Sequence, residues 1–375
     1  MNKKKIDIIF FLSLMGFIFI NIFFYRLGEH GTDRSAQILI FLLVMEIIIF
    51  TNYEKDCKTS IGLIYMLMAI IISLKAFYIL YFIFFIPIIL NVIIKNNLKN
   101  SFLLLTNNMY FLFFFIIIFF ILFNSLVNTG CLLYPVKTTC INALEWSIPL
   151  KEVQLMNDWY EQWSKGGAAP NFRVDNPEEY IQYFNWVSNW IDTYFFNKVS
   201  DFLFGVIFIA LIVLSIFFSR KKVKVEKKIN SNLIFVLIIV LLFEWFYNHP
   251  ALRYGGYVLI GLIVFIPIAS RIEQYENTFG TVSKKIYFLI MLVFIVFIAR
   301  NMNRIFKEVE QYHYKPLKNV YYYIDKNHFR ITDQFSLLMK AYEDCVLLSD
   351  DCSEVIVSNV MVTKKFGKYI FINKE

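Results

Sequence analysis

Apolar residues along this chain come in long unbroken blocks rather than in stripes that recur every three or four positions. They run at 6–25, 35–50, 61–74, 76–94, 109–126, 202–219, 232–247, 257–270 and 286–300. A helix rises 1.5 Å per residue, so about 20 such residues match the roughly 30 Å hydrocarbon thickness of a bilayer. The pattern predicts an all-α polytopic membrane protein with about nine transmembrane helices. The block at 61–74 is short and ends at Lys75, as expected of one arm of a tilted helical hairpin or of a re-entrant segment. Barrel strands would instead alternate apolar and polar residues between frequent turns. The blocks divide the chain into a membrane region at 1–126, a polar Trp-rich stretch at 127–201, a second membrane region at 202–300 and a polar tail at 301–375. Within the tail, the β-branched and aromatic runs Val355, Ile356, Val357 and Tyr369, Ile370, Phe371, Ile372 predict short strands after a helical stretch.

Composition agrees with this class. Hydrophobic residues make up 58% of the 375 positions and charged residues only 18%, against about 25% charged in ordinary soluble domains, which excludes a cytosolic globular enzyme. The net charge of +8 raises nucleic acid as a partner, but its location argues for no nucleic acid. Most basic residues sit in short connections between blocks, where they report orientation. The first block follows Lys3, Lys4 and Lys5 and lacks a small-residue cleavage site, so it reads as an uncleaved signal anchor with a cytoplasmic N-terminus. Threading nine spans from there puts sixteen Lys and Arg residues on the cytoplasmic side, including the cluster at 220–228. The short outer turns receive Arg26, Arg34, Lys75 and Arg253, with Arg300 at a boundary. The stretch at 127–201 and the tail with the C-terminus then fall on the extracytoplasmic side of the membrane.

Cysteines follow the same division. Cys131 and Cys140 lie in the long outer loop, Cys345 and Cys352 in the outer tail, and Cys57 on the cytoplasmic side. Two disulfides suit the oxidising compartment, and local pairs give the simplest of three connectivities. Zinc is the competing reading, but no CxxC occurs, and His30, His249, His313 and His328 are scattered. No motif indicates a divalent cation or any other cofactor, and cofactor use stays unknown.

The outer face holds the candidate chemistry. Five of the six tryptophans (Trp146, Trp159, Trp163, Trp186 and Trp190) fall in the loop at 127–201. The spacings of Trp159 to Trp163 and of Trp186 to Trp190 put each pair on one helix face. An interfacial aromatic belt accounts for them. So does a sugar-binding groove in which rings stack on the glycan while Glu161, Lys165 and Asp175 bond its hydroxyls. The turn at 26–34 carries Arg26, Glu29, Asp33 and Arg34. Glu29 or Asp33 fits a general base and Arg34 a phosphate ligand. The plainer reading is that Thr32 or Asp33 caps the second span and Arg34 pairs with it. The turn at 248–257 reads Asn-His-Pro-Ala-Leu-Arg-Tyr-Gly-Gly-Tyr. Its Arg253, beside an apolar boundary, grips either a lipid-linked phosphate or lipid headgroups and helix-end carbonyls. Lys75, Asn107, Asn108 and Glu244 are polar exceptions at the edges of blocks.

Several stretches together resemble bacterial GT-C-type membrane glycosyltransferases, in particular an uncharacterised branch from surface-polysaccharide loci. They are 29–37 (Glu-His-Gly-Thr-Asp-Arg-Ser-Ala-Gln), 73–77 (Ser-Leu-Lys-Ala-Phe), 130–135 (Gly-Cys-Leu-Leu-Tyr-Pro), 249–255 and the tail with Cys345 and Cys352. The resemblance implies a polyprenyl-phosphate-linked sugar as donor and a glycan acceptor attacking on the outer side, with inversion at the anomeric carbon. Asp33 or Glu29 would be the base, Arg253 and Arg34 would hold phosphate, and His249, Tyr254, Trp159 and Trp163 would line the substrate. Enzymes of that group carry a close acidic pair in the first outer loop, whereas Glu29 and Asp33 here stand four apart. An O-antigen polymerase or ligase shares the long outer loop and phosphate-gripping arginines. A transporter would need inverted repeats and midplane charges, neither of which the sequence displays. A membrane scaffold predicts no effect from changing Asp33 or Arg253.

Overall fold

The computed structural model describes residues 7–27, 31–52, 57–107, 109–168, 172, 174–219, 221, 230–275, 279–312, 340, 355–357, 360–365 and 368–373. The chain divides into two compact units, Met1–Asn301 and Met302–Glu375.

The first unit is helical, and a helix occupies each of the nine apolar blocks. These are α1 (Ile8–Phe23), α2 (Asp33–Asn52), α3 (Cys57–Leu74), a 3-10 segment (Ala76–Phe84) that continues as α4 (Phe85–Lys95), α6 (Met109–Thr129), α10 (Ser200–Phe217), α11 (Asn230–Asn248), α12 (Gly256–Glu273) and α13 (Phe279–Tyr312). Short α5 (Leu98–Thr106) follows α4, and α7 (Leu150–Lys165), α8 (Pro177–Ile181) and α9 (Val187–Trp190) lie in the polar stretch. Six helical segments among the described residues are long and apolar enough to cross a membrane: Asp33–Asn52, Ala76–Lys95, Met109–Thr129, Val187–Phe217, Gly256–Glu273 and Val282–Gln311. Three shorter apolar helices, Ile8–Phe23, Lys58–Leu74 and Asn232–Asn248, accompany them. The protein is therefore a membrane-type helical bundle.

Local chemistry sets several boundaries. The Asp7 carboxylate caps α1 by accepting from the Phe10 amide at 3.0 Å. Lys75 adopts an extended conformation that breaks the backbone between α3 and the 3-10 segment, so the two form a hairpin with almost no loop. Thr32 Oγ1 donates to the Leu74 carbonyl at 2.9 Å and satisfies an orphan acceptor at the end of α3. The sixth block extends further toward the N-terminus than its hydropathy suggested: helix begins at Val187 and runs unbroken to Phe217, with a π-helical stretch at Ile191–Val199 joining α9 to α10. Polar residues on one side, among them Asp192, Asn197 and Lys198, conceal that helix in an average over the sequence.

Helix α12 lies at the centre, against α1, α2, α10 and α11, and its Val258, Leu259, Leu262, Phe265 and Ala269 are fully buried. Helix α6 packs on α3 and otherwise presents Phe113, Phe115, Phe119, Phe120 and Phe123 outward, as a lipid-facing helix would. In the second unit, β1 (Val355–Val357), β2 (Val360–Lys365) and β3 (Lys368–Asn373) form an antiparallel meander in the order β1-β2-β3, with Met361 opposite Ile356 and Ile372. The predicted strands are present there.

Candidate functional site

Four connections meet at one end of the first unit: the start of α2, the break at Lys75, the polar stretch after α6, and the turn between α11 and α12. Asp33 begins α2, where a negative charge is favoured by the helix dipole. Its side chain is 1% exposed. One carboxylate oxygen accepts from Lys75 Nζ and the other from Arg253 Nε at 2.7 Å. A buried carboxylate is strongly destabilising unless paired, and here two cations share it, leaving the trio with a net charge of +1. Lys75 and Arg253 keep side-chain exposures of 29% and 27%. Among the described residues, neither terminal nitrogen of Arg253 makes a hydrogen bond.

Residue Gln37 sits one helical turn after Asp33, on the same face, and fixes the backbone that carries Arg253. Its Nε2 donates to the Arg253 carbonyl at 2.9 Å, and its Oε1 accepts from the Val258 amide at 3.1 Å. Other elements grip the same turn from different directions. The Ala251 amide donates to Ser164 Oγ at 3.1 Å and the Leu252 amide to Tyr194 Oη at 3.0 Å. The indole nitrogens of Trp190 and Trp245 donate to the carbonyls of Pro250 and Ala251 at 3.1 and 2.9 Å. Gly255 then turns the chain with φ of +105°, and a Cβ there would lie 2.6 Å from Tyr81 Oη. Both the conformation and the space require glycine.

An aromatic wall surrounds the charges. The Arg253 guanidinium lies 5.5 Å from the ring centroids of both Trp163 and Tyr254, and Lys75 Nζ lies 5.4 Å from Tyr254, within cation–π range. The His249 ring meets Phe77 at 5.3 Å and Tyr254 at 5.7 Å. Among the described residues its buried Nδ1 has no hydrogen-bond partner. Burial, followed by the charge of Lys165, lowers the His249 pKa to about 4, so the ring is neutral at pH 7. Tyr254 moves the other way, raised chiefly by burial.

Asp33, Arg253, His249, Tyr254 and Trp163 thus converge. Arg34 turns instead to the end of α1, donating to the Arg26 carbonyl and lying 5.8 Å from the Phe24 ring. Adjacent residues on a helix do not share a face, so Asp33 and Arg34 cannot both point into the cluster. Trp159 is exposed and meets Tyr160. Glu29, His30, Cys345 and Cys352 lie outside the described residues. Cys131 and Cys140 form a disulfide.

The aromatics of the polar stretch at 127–201 divide differently from either sequence-based account. Trp186 and Trp190 stack edge to face at 6.1 Å and are buried; they belong to the packing beneath the turn. Lys165 is also buried. It donates to Glu161 Oε1 at 2.5 Å and to the Ile181 carbonyl at 2.7 Å, so its charge holds the polar stretch together and does not face a ligand. Lys75 stands out in the sequence as a polar exception and Gln37 falls within the 29–37 stretch, whereas Ser164, Tyr194 and Trp245 carry no signal for this role in the sequence. No group of three or more potential metal ligands occurs among the described residues.

A family model described as a domain of unknown function (DUF8201) matches residues 1–260, which takes in every residue of this cluster. No curated protein and no solved structure matches the chain.

Proposed function

The chain belongs to the DUF8201 family, and from the cluster inside the matched region we propose that it transfers a sugar from a polyprenyl-phosphate-linked donor to an acceptor hydroxyl in surface-glycan assembly. The observation that carries this reading is the ion trio of Asp33, Lys75 and Arg253, with its excess positive charge and aromatic wall at a helix-bundle end. A guanidinium fork whose terminal nitrogens bond to none of the described residues, beside an ammonium, suits a phosphate, and the rings of Trp163 and Tyr254 offer flat faces to a sugar. The topology in this proposal has nine spans, a cytoplasmic N-terminus and the Trp-rich stretch and C-terminus outside, in a bacterial inner membrane. Under that threading, the start of α2, the end of α3 and the end of α11 all fall outside; their mutual contact requires only that they share a side, and supports the threading to that extent.

In the proposed reaction the acceptor hydroxyl oxygen attacks the anomeric carbon. The bond from that carbon to the phosphate oxygen breaks, and the lipid phosphate leaves on Lys75 and Arg253. Phosphate competes with Asp33 for these two cations, and an Asp33 oxygen released from them takes the hydroxyl proton. Glu29 of the same turn is the alternative base. Neutral His249, packed against Phe77 and Tyr254, lines the substrate side of the turn.

Membranes containing the protein should transfer labelled sugar from a polyprenyl-phosphate donor. Asp33→Asn should lower that rate by about 10²–10⁴-fold, the usual worth of a base, and Arg253→Ala by a comparable factor. Unchanged transfer in both variants would sink the assignment. Reaction only with an oligosaccharide-diphosphate lipid would point to a polymerase or ligase instead.

A further inference from the structure

Beside the cluster, the π-helical stretch, α11 and α12 enclose a groove of about 600 Å³, within the usual ligand-site range of about 300–1,000 Å³. Ile191, Phe195, Phe196 and Val199, all from the π-helical stretch, form one wall, with Leu242, Trp245 and Phe246 of α11 opposite. Every lining residue is apolar. The two indole N–H groups in the lining, from Trp190 and Trp245, are already bonded to carbonyls of the turn before Arg253. Nothing in the groove therefore offers a polar ligand a hydrogen bond. Phe196 and Phe243 stand exposed at its rim, on helices that are apolar enough to lie in a membrane. The wide π turn, of a kind found mostly at functional sites, supplies the wall that shapes the space.

We propose that this groove holds the hydrocarbon chain of the lipid phosphate gripped by Lys75 and Arg253, and that Trp190 and Trp245 couple chain occupancy to the placement of Arg253. The first half rests on the phosphate reading above; the coupling is a separate property of the two tryptophans. The link to the charged cluster is direct: the indole nitrogens of two lining residues, Trp190 and Trp245, donate to the carbonyls of Pro250 and Ala251, and the cationic side chain follows two residues later. A chain seated against both indole rings fixes them, and their N–H bonds fix the turn. A soluble phosphate lacks that lever, so the site selects lipid-linked phosphates without contacting the chain from the head-group side.

The test uses the full-length protein in detergent, with binding of a long-chain polyprenyl phosphate, geranyl phosphate, inorganic phosphate and a long-chain polyprenol followed by native mass spectrometry. The long-chain phosphate should bind about 10-fold or more tighter than geranyl phosphate, given roughly 0.8 kcal/mol per buried methylene. Leu203→Trp, which fills the groove, should erase that difference while geranyl phosphate still binds; Val199→Trp is the second filling variant should the first not fold. Arg253→Ala should weaken long-chain phosphate binding about 10-fold in the wild type and less than about 2-fold in Trp190→Phe/Trp245→Phe, a double-mutant cycle that isolates the coupling. Should the double variant not fold, Trp245→Phe alone carries the same comparison. A chain-length preference that survives both filling variants overturns the groove and leaves the phosphate reading standing. Polyprenol binding as tightly as its phosphate, with the same sensitivity to Leu203→Trp, supports the groove and overturns the phosphate reading. An undiminished Arg253 effect without the indole bonds overturns the coupling.

Discussion

At the scale of single residues, charge in the wrong place was the readable signal. Asp33, Lys75 and Arg253 each interrupt or border an apolar block, and burying any of them alone would be unfavourable by several kcal/mol, so each of them implies a partner. That the partners are one another was not legible, because their separations of 42 and 220 residues carry no periodic trace. His249 makes a prediction of its own. Above pH 6.5 its ring is neutral whether the chain is folded or not. Between pH 6.5 and about 4 only the unfolded chain takes up the proton, so stability falls as pH drops through that window. The full loss is about 3 kcal/mol at 1.36 kcal/mol per pKa unit. Thermal unfolding in detergent should show this slope in the wild type, and His249→Gln should flatten it. Tyr254 faces the same ring, and burial raises its pKa further above the ordinary tyrosine value and so away from this window. An equal slope in both proteins would place the titration elsewhere.

At the scale of elements, the nine helical blocks were legible because bilayer thickness fixes a block length that few other folds need. The irregular helices were not. Neither the 3-10 run at Ala76–Phe84 nor the π run at Ile191–Val199 has a sequence signature; each arises where side chains must reach the turn at 249–255, Tyr81 from one and Tyr194 from the other. One extra residue in a helix shifts what precedes it by about 100° around the axis, the angle set by 3.6 residues per turn. Deleting exposed Asn197 should therefore convert the π turn to α and rotate Trp190 and Tyr194 off the turn. A protein that still folds but loses lipid-phosphate binding is the expected result, read by native mass spectrometry and thermal unfolding together. Retained binding would mean that the π geometry has no role at the site.

At the scale of the whole molecule, the proposed threading requires residues far apart in sequence to share a side, and contact geometry meets that one requirement. Threading from the lysines puts Asp33, Lys75, Trp163 and Arg253 on one side, and their side chains meet. The Cys131–Cys140 disulfide offers a sided test, since such bonds persist outside the reducing cytoplasm. In intact cells a membrane-impermeant maleimide should label these thiols only after external reduction, and the nine-residue separation gives the bond about 2–3 kcal/mol on the loop-entropy estimate. Labelling that requires cell lysis would reverse the topology.

The unequal separations around Asp33 have a consequence in time. In the proposed topology, a chain inserted from its N-terminus presents the carboxylate first, then Lys75 at the end of α3, and Arg253 only after α11. Lys75 is then the first partner available to Asp33. Arg253 would join an acid whose charge is already balanced, and the finished trio keeps one cation beyond its own pairing.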